Sequence, residues 1–486
     1  MESYYWIPTG MILIADLTIR IGLSIRVIMR KRAASVTLAW LVIILLLPFV
    51  GAFIYLLFGE NRLGEHRAAR AAADLRVITR WADSLRQRTR VDWERVNPEC
   101  QPLHRQIDAI IGIPTMPGNR LELIASPTDF FSRLIEDIDA AQSSCFLEFY
   151  IWNEGGMADQ VAEALIRARK RGVTCRILLD SIGSKEFFSG RTCRRMRRQG
   201  IEITEALPAG LLRALFVRID LRNHRKIVTI DGRTGYSGSQ NLVDPRYFKQ
   251  DEGVGQWIDT MVRVEGPVVE IMTASFLYDW LLENKKSMKE LTTSPEVRPV
   301  PAADRALVQL VPSGPGYGED TIHNLLLTTI YAARQELILT TPYFVPDNAI
   351  LAALKSAAQR GVEVIIILPE KNDSRLVQYA SRAHFEQLLE AGVQLMAFSG
   401  GLLHAKTITV DRDFSLIGSV NLDMRSFWLN FEMTLFVYDK EFTVRLCDLQ
   451  RGYLRHARQI RGAELRDRPA GQRFLENCAL LVGPLL

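Results

Sequence analysis

The feature that most restricts the fold of this chain is a phrase that occurs twice. Cys145 to Trp152 reads as a strand, Met157 to Arg171 as an amphipathic helix and Val173 to Leu179 as a second buried strand. Leu337 to Val345, Ala349 to Arg360 and Val362 to Leu368 repeat that order. Each helix ends at a Gly-Val step, Gly172-Val173 and Gly361-Val362, where glycine can supply the left-handed residue that closes a helix. Alternating strands and helices specify an α/β fold, and the repetition specifies two similar lobes. With 486 residues, 48% of them hydrophobic, the chain can bury two cores. Between the copies, 287–304 gathers Pro295, Pro299 and Pro301 among polar residues and is the expected linker. The lobes are then expected over 120–286 and 305–486.

The same motif follows each copy. His224-Arg225-Lys226 leads after four residues to Asp231 and then to Gly238-Ser239-Gln240-Asn241; His404-Ala405-Lys406 leads after four residues to Asp411 and then to Gly418-Ser419-Val420-Asn421. Both sit in β-prone runs, so alternation puts His and Lys on one strand face and Asp on the other parity at the strand end. Two imidazoles in one site suit displacement at a phosphodiester. One attacks phosphorus while the other protonates the departing oxygen, then deprotonates the acceptor hydroxyl, and no metal is required. Lys226 and Lys406 can neutralise the phosphoryl oxygens. Asn241 and Asn421 can donate to them, and the Gly-Ser steps at Ser239 and Ser419 can bring amides close. An attacking imidazole needs a carboxylate on its other nitrogen, and Asp259 and Glu432 stand at similar places downstream of the two histidines. Asp231 and Asp411 belong to the catalytic motif, although an Asp at a strand end also commonly binds local backbone donors.

The N-terminus is apolar. Val36 to Phe58 runs without a charge, long enough for a transmembrane helix, and the stretch at 5–28 is a second candidate span in which Asp16 and Arg20, four apart, can neutralise each other. A transmembrane hairpin over 1–59 is expected, then a helical stalk and lead-in over 60–119. Leu207 to Leu221, with Leu211, Leu212, Leu215, Phe216 and Val217 among Arg213 and Arg218, reads either as an interfacial segment feeding lipid to the site or as a core helix capped by arginines. Arg191, Arg194, Arg195, Arg197 and Arg198 form a basic cluster that reads first as a solvated helix end before Gly200. Sixty basic against 55 acidic residues give a net charge of only +5, too slight for a nucleic-acid binder. The six cysteines form no Cys-x-x-Cys pair and are expected to be reduced. His66, His104, His323, His384 and His456 share no spacing and are expected to be structural.

The doubled His-x-Lys-x4-Asp signature resembles the phospholipase D superfamily, and the whole arrangement is similar to the bacterial cardiolipin synthases. The resemblance implies two phospholipase D-like lobes with the active site at their interface, behind a transmembrane hairpin in the bacterial inner membrane. It implies that His224 is the nucleophile and His404 the acid and base. It also implies transfer of a phosphatidyl group between two phosphatidylglycerol molecules, giving cardiolipin and glycerol without a cofactor and with no nucleic acid as partner. A phospholipase D that resolves the same intermediate with water, or a membrane-tethered nuclease, would use the same motifs.

Overall fold

The computed structural model describes residues 6–30, 34–47, 49–60, 80–208, 218, 220–318 and 320–483. Two compact units result, and the larger one, Arg70–Pro208 with Arg222–Leu486, holds both copies of the repeated phrase. Its frame is one sheet of sixteen strands. From the middle outward, the first half runs Met116–Ile124, Met261–Glu265, Thr234–Gly238, Ile227–Ile230, Ser144–Phe149, Thr174–Asp180 and Glu202–Ala206. The second runs Ala306–Ser313, Asn430–Val437, Phe414–Gly418, Thr407–Val410, Glu336–Thr340, Glu363–Pro369 and Gln394–Phe398, with Ala457–Gln459 added at its edge. The two orders match strand for strand. They join where Met116 pairs antiparallel with Val308.

In each half the three outer strands of the shared order are parallel and the remainder antiparallel. Ser144–Phe149 and Glu336–Thr340 are buried along their whole length, as strands covered on both faces must be. The helices Met157–Lys170 and Asn348–Gln359 connect parallel neighbours, and Gly172 and Gly361 take the left-handed conformation beyond them (φ 96° and 89°). The run Leu337 to Val345 is not one strand. It divides into Glu336–Thr340 and Phe344–Val345 around Pro342, which has no N–H to give a ladder.

The lead-in is not a free stalk over its second part. In the helix Cys100–Ile111, Cys100, Leu103 and Ile107 recur at three- and four-residue steps and enter the core of the second half, and Met116–Ile124 is a central strand. The part of the stalk at 61–79 lies outside the described residues, as do His66 and 209–217, which include Leu211, Leu212, Arg213, Leu215, Phe216 and Val217. The proline-rich connection holds the short helix Lys289–Thr293, with Met288 and Leu291 buried beside Trp280 and Leu281. Five cysteines are buried and Cys478 is half-buried; all are free.

In the N-terminal unit the described helices are Trp6–Met29, Ala34–Leu46 and Val50–Phe58 where two were expected, and among the described residues no helix is both long and apolar enough to cross a membrane. Within the expected span at 36–58, one described helix ends at Leu46 and the next begins at Val50. Phe49 then takes a left-handed backbone (φ 52°). Asp16 and Arg20 do pair, at 2.6 Å.

Candidate active site

The two halves exchange their site residues through the backbone. Arg222–Asn223, just ahead of His224, pairs in parallel with Asn430 and Phe431 of the second half, and the His224 amide donates to the Phe431 carbonyl at 2.9 Å. Leu402–Leu403, ahead of His404, pairs in parallel with Trp257–Ile258 of the first half, and the His404 amide donates to the Ile258 carbonyl at 2.8 Å. The next residue on each receiving strand is a carboxylate: Glu432 in one case and Asp259 in the other. Each orienting acid therefore serves the histidine of the opposite half. His224 Nδ1 lies 2.9 and 3.0 Å from the two Glu432 oxygens, and His404 Nδ1 lies 2.6 Å from Asp259 Oδ1. Matching each acid to its own upstream histidine by spacing gives the wrong partners. The reason is that the strand bearing each acid is completed across the interface.

An ionised carboxylate only accepts hydrogen bonds, so each Nδ1 carries a proton, and each Nε2 is free to act as nucleophile when unprotonated or as acid when protonated. Both imidazoles line one cavity of about 820 Å³. Burial is the main reason that His224 and His404 are each pushed down to about 4; the neighbouring lysines add to it and the carboxylates oppose it. Burial alone would raise Glu432 and Asp259. The paired histidine, a neighbouring lysine and a serine hydroxyl together outweigh burial, and both carboxyls sit below their ordinary range.

Lys226 and Lys406 are buried and do not form the cavity wall, each donating to the carbonyl of its own motif histidine, at 2.7 and 2.6 Å. Burial pushes Lys226 down to about 8 and Lys406 to about 7, although carboxylate charges resist the change. Asn241 and Asn421 line the cavity. The Asn241 carbonyl oxygen accepts from the Ile151 amide at 3.1 Å, which leaves its NH2 as the group it can offer a phosphate.

Ser239 and Ser419 do not. Their amides donate to Thr260 and Met433 carbonyls, both at 2.9 Å, and the Ser419 hydroxyl donates to Glu432 while the Ser239 hydroxyl accepts from the Thr260 amide at 2.9 Å. The Gly-Ser step serves strand packing. A Cβ on Gly238 or Gly418 would stand 2.3 or 2.2 Å from the carbonyl oxygen of Thr260 or Met433, the residues just after the two acids.

Of the two readings of Asp231 and Asp411, the structure shows the backbone one: they stand at the far ends of their strands and bind backbone amides rather than lining the cavity. Asp231 accepts the amides of Gln142, Ser143 and Ser144 at 2.7 to 2.9 Å, and Asp411 those of Arg334, Gln335 and Glu336 at 2.7 to 2.9 Å. Both have a left-handed backbone (φ 54° and 50°), which lets the carboxylate turn back onto the start of the neighbouring strand. Among the other described histidines, His104 stacks on Trp93 and His323 bonds Asp347 at 3.1 Å. In the basic cluster, Arg195 pairs with Glu163 and Arg197 donates to the Ile203 carbonyl, as expected of a helix end.

Sequence reading missed much of the wall. Trp257 lies tilted by 40° against His404 with ring centroids 4.4 Å apart, and Tyr150 meets His224 edge-on at 5.1 Å. Arg222, Asn430, Tyr343, Asp423 and Arg425 also line the cavity. A signal was present. Arg222, Trp257 and Asn430 each lie two residues before a motif residue, on the same strand parity as His224, Asp259 and Glu432.

Two lobes with one strand order, meeting at paired His-x-Lys motifs, define a phospholipase D-like phosphodiester site. The family model for the cardiolipin synthase, phospholipase D-like domain matches residues 134–280 and 326–448, and the model for the phospholipase D-nuclease N-terminal region matches 19–60. The proteins named Cardiolipin synthase A from Cronobacter sakazakii and Klebsiella pneumoniae are each 44% identical over 486 residues, covering all of both chains. The chain belongs to the cardiolipin synthase family of phospholipase D-like proteins. Its fold is shared with the solved phosphatidylserine synthase of Haemophilus influenzae, at a TM-score of 0.59 and 14% identity over 79% of this chain and 100% of that one.

Proposed function

We propose that this chain is a cardiolipin synthase that transfers a phosphatidyl group from one phosphatidylglycerol to the terminal hydroxyl of another. The observation that carries the mechanism is the pair of imidazoles on one cavity, each held by a carboxylate of the opposite half. His224 Nε2 attacks phosphorus and the bond to the glycerol oxygen breaks; His404, which takes a second proton on Nε2 as the phosphodiester anion binds beside it, gives that proton to the departing oxygen and is left neutral. The second phosphatidylglycerol then enters. Its hydroxyl loses a proton to neutral His404 and displaces His224, so the P–N bond breaks as the new P–O bond forms. Lys226 and Lys406 place two cations under the phosphoryl group, and the Asn241 and Asn421 amides face it from the wall. The apolar N-terminal helices support action at a membrane, where both lipids reside.

Purified protein supplied with phosphatidylglycerol micelles tests this reading. Cardiolipin and glycerol should form in equal amounts with wild type and fall by about 10⁴-fold or more with His224→Ala or His404→Ala. Phosphatidic acid as the main product would make the chain a hydrolase, and unchanged turnover in either variant would remove the histidine mechanism.

A further inference from the structure

The last helix, Ala470–Leu481, is built inside out. Its buried side carries Glu476, 1% exposed and ion-paired with Arg468 and Arg382, beside Ala479. Its outer side carries Phe474 at 67%, Leu475 at 53% and Leu481 at 81% exposure, with Cys478 half-buried between them. Phe474, Cys478 and Leu481 recur at four- and three-residue steps, with Leu475 and Val482 one column over, so they form a continuous apolar face. A helix that spends its polar contacts inward and shows this face outward is not completing a core.

The face continues to the cavity mouth. The helix packs on Arg375–Arg382, where Val377 and Ala380 join Ala479 in one cluster. Leu376 and Tyr379 of that helix are exposed, while Val377 lines the cavity. Tyr247 and Ile182, also exposed, stand on the cavity lining together with Lys185 and Lys249. Exposed Lys371, Arg375 and Arg473 flank the two helices. Apolar side chains ringed by cations, beside the opening to a phosphodiester site, complement a surface of acyl chains under anionic headgroups. We propose that the outer face of Ala470–Leu481, with Leu376 and Tyr379, lies on the phospholipid surface and holds the cavity mouth against it. The inference rests on a phospholipid being the substrate, and it names where that substrate enters.

Cys478 offers a local probe, because the other five cysteines are buried. A nitroxide attached there is followed in the full-length protein on vesicles of phosphatidylglycerol and phosphatidylcholine. Collisions with oxygen should rise and those with a water-soluble nickel chelate should fall at least threefold relative to the Phe474→Asp/Leu481→Asp protein on the same vesicles. Equal chelate collisions in both would overturn the proposal, as would spin–spin broadening that places the face against a second copy. In parallel, Phe474→Ser/Leu481→Ser should lower turnover of vesicle phosphatidylglycerol about tenfold and leave a short-chain diester dissolved in water unaffected; equal losses on both would also overturn it. The probe reads position and not turnover. A label in lipid on a protein that makes no cardiolipin would remove the proposed reaction and leave the docking face standing.

Discussion

His224-Arg225-Lys226 and His404-Ala405-Lys406 share their outer residues and differ in the middle one, and the difference marks the line between chemistry and packing. The middle side chain lies on the strand face away from the cavity. In the first half that face is polar. Arg225 is fully buried, ion-paired with Asp279, and donates through Nε to the Glu432 carbonyl at 3.1 Å, while Asn223 donates to Glu148 at 2.7 Å. In the second half Ala405 sits among Ile338, Ile365, Leu403 and Cys447. The cavity face shows the opposite relation: the histidines, lysines and carboxylates are the same in kind, and each acid crosses to the other half. Duplication kept what the phosphate sees and let each core be repacked.

The crossed pairing can be broken one side at a time, and this carries the largest effect. Glu432→Gln lies in the second half but should disable His224, and Asp259→Asn lies in the first half but should disable His404. Each leaves an imidazole without a carboxylate to fix its tautomer, for which a loss of about 10² to 10⁴-fold is expected. A nitrophenyl phosphodiester, whose leaving group needs no proton, tells them apart. First-turnover release of nitrophenolate should recover to within about tenfold of wild type in Asp259→Asn and stay low in Glu432→Gln. The reverse pattern would exchange the roles of the two histidines. Recovery in neither would mean that the acids act only on folding.

The polar back face can be tested against the apolar one by stability. Arg225→Met leaves Asp279 buried without its partner and should cost about 3 to 5 kcal/mol in denaturant unfolding. Arg225→Met/Asp279→Leu should regain most of that loss, since two apolar side chains of similar size replace the pair. If the double variant is as unstable as the single, Arg225 contributes chiefly through the Glu432 carbonyl, across the interface.

These contrasts also show what a sequence discloses. The two-lobe α/β order and both motifs were legible because helical and strand periodicities, and a pattern repeated at matched positions, are local properties. Asp259 and Glu432 were legible as acids, whereas their exchange was not, because the parallel pairing of Arg222–Asn223 with Asn430 and of Leu402–Leu403 with Trp257 joins residues far apart in the chain. The roles of Ser239 and Ser419 were misread for a related reason, whereas the backbone-binding role of Asp231 and Asp411 was legible from their place at a strand end. Being polar and part of the motif does not tell whether a side chain meets substrate or a backbone amide. In the N-terminal unit, the charge-free run from 36 to 58 disclosed apolar helix but not its division into Ala34–Leu46 and Val50–Phe58.

The smallest effect concerns the lysines, for which the two halves differ only by degree: Lys406 is pushed down to about 7 and Lys226 to about 8, each chiefly by burial. Both must be charged to hold a phosphodiester, so kcat/KM should fall as pH rises through 7 to 8. Stability should move the other way. An unfolded lysine keeps its proton to about 10.4, so between pH 8 and 10 the unfolded chain binds more protons than the folded one, and folding is favoured as pH rises, by up to about 1.4 kcal/mol per pH unit for each lysine. The histidines act below this window. Their folded values near 4 lie under the ordinary 6.5, so the stability they contribute is lost as pH falls from 6.5 to 4. Lys406→Arg keeps a charge that does not titrate below about pH 12. It should move the basic limb of kcat/KM up by about one pH unit, to the value set by Lys226, and should remove about half of the alkaline stability slope. An unmoved limb would assign that limb to Lys226 or to another group, and it would mean that Lys406 does not share in holding the phosphate.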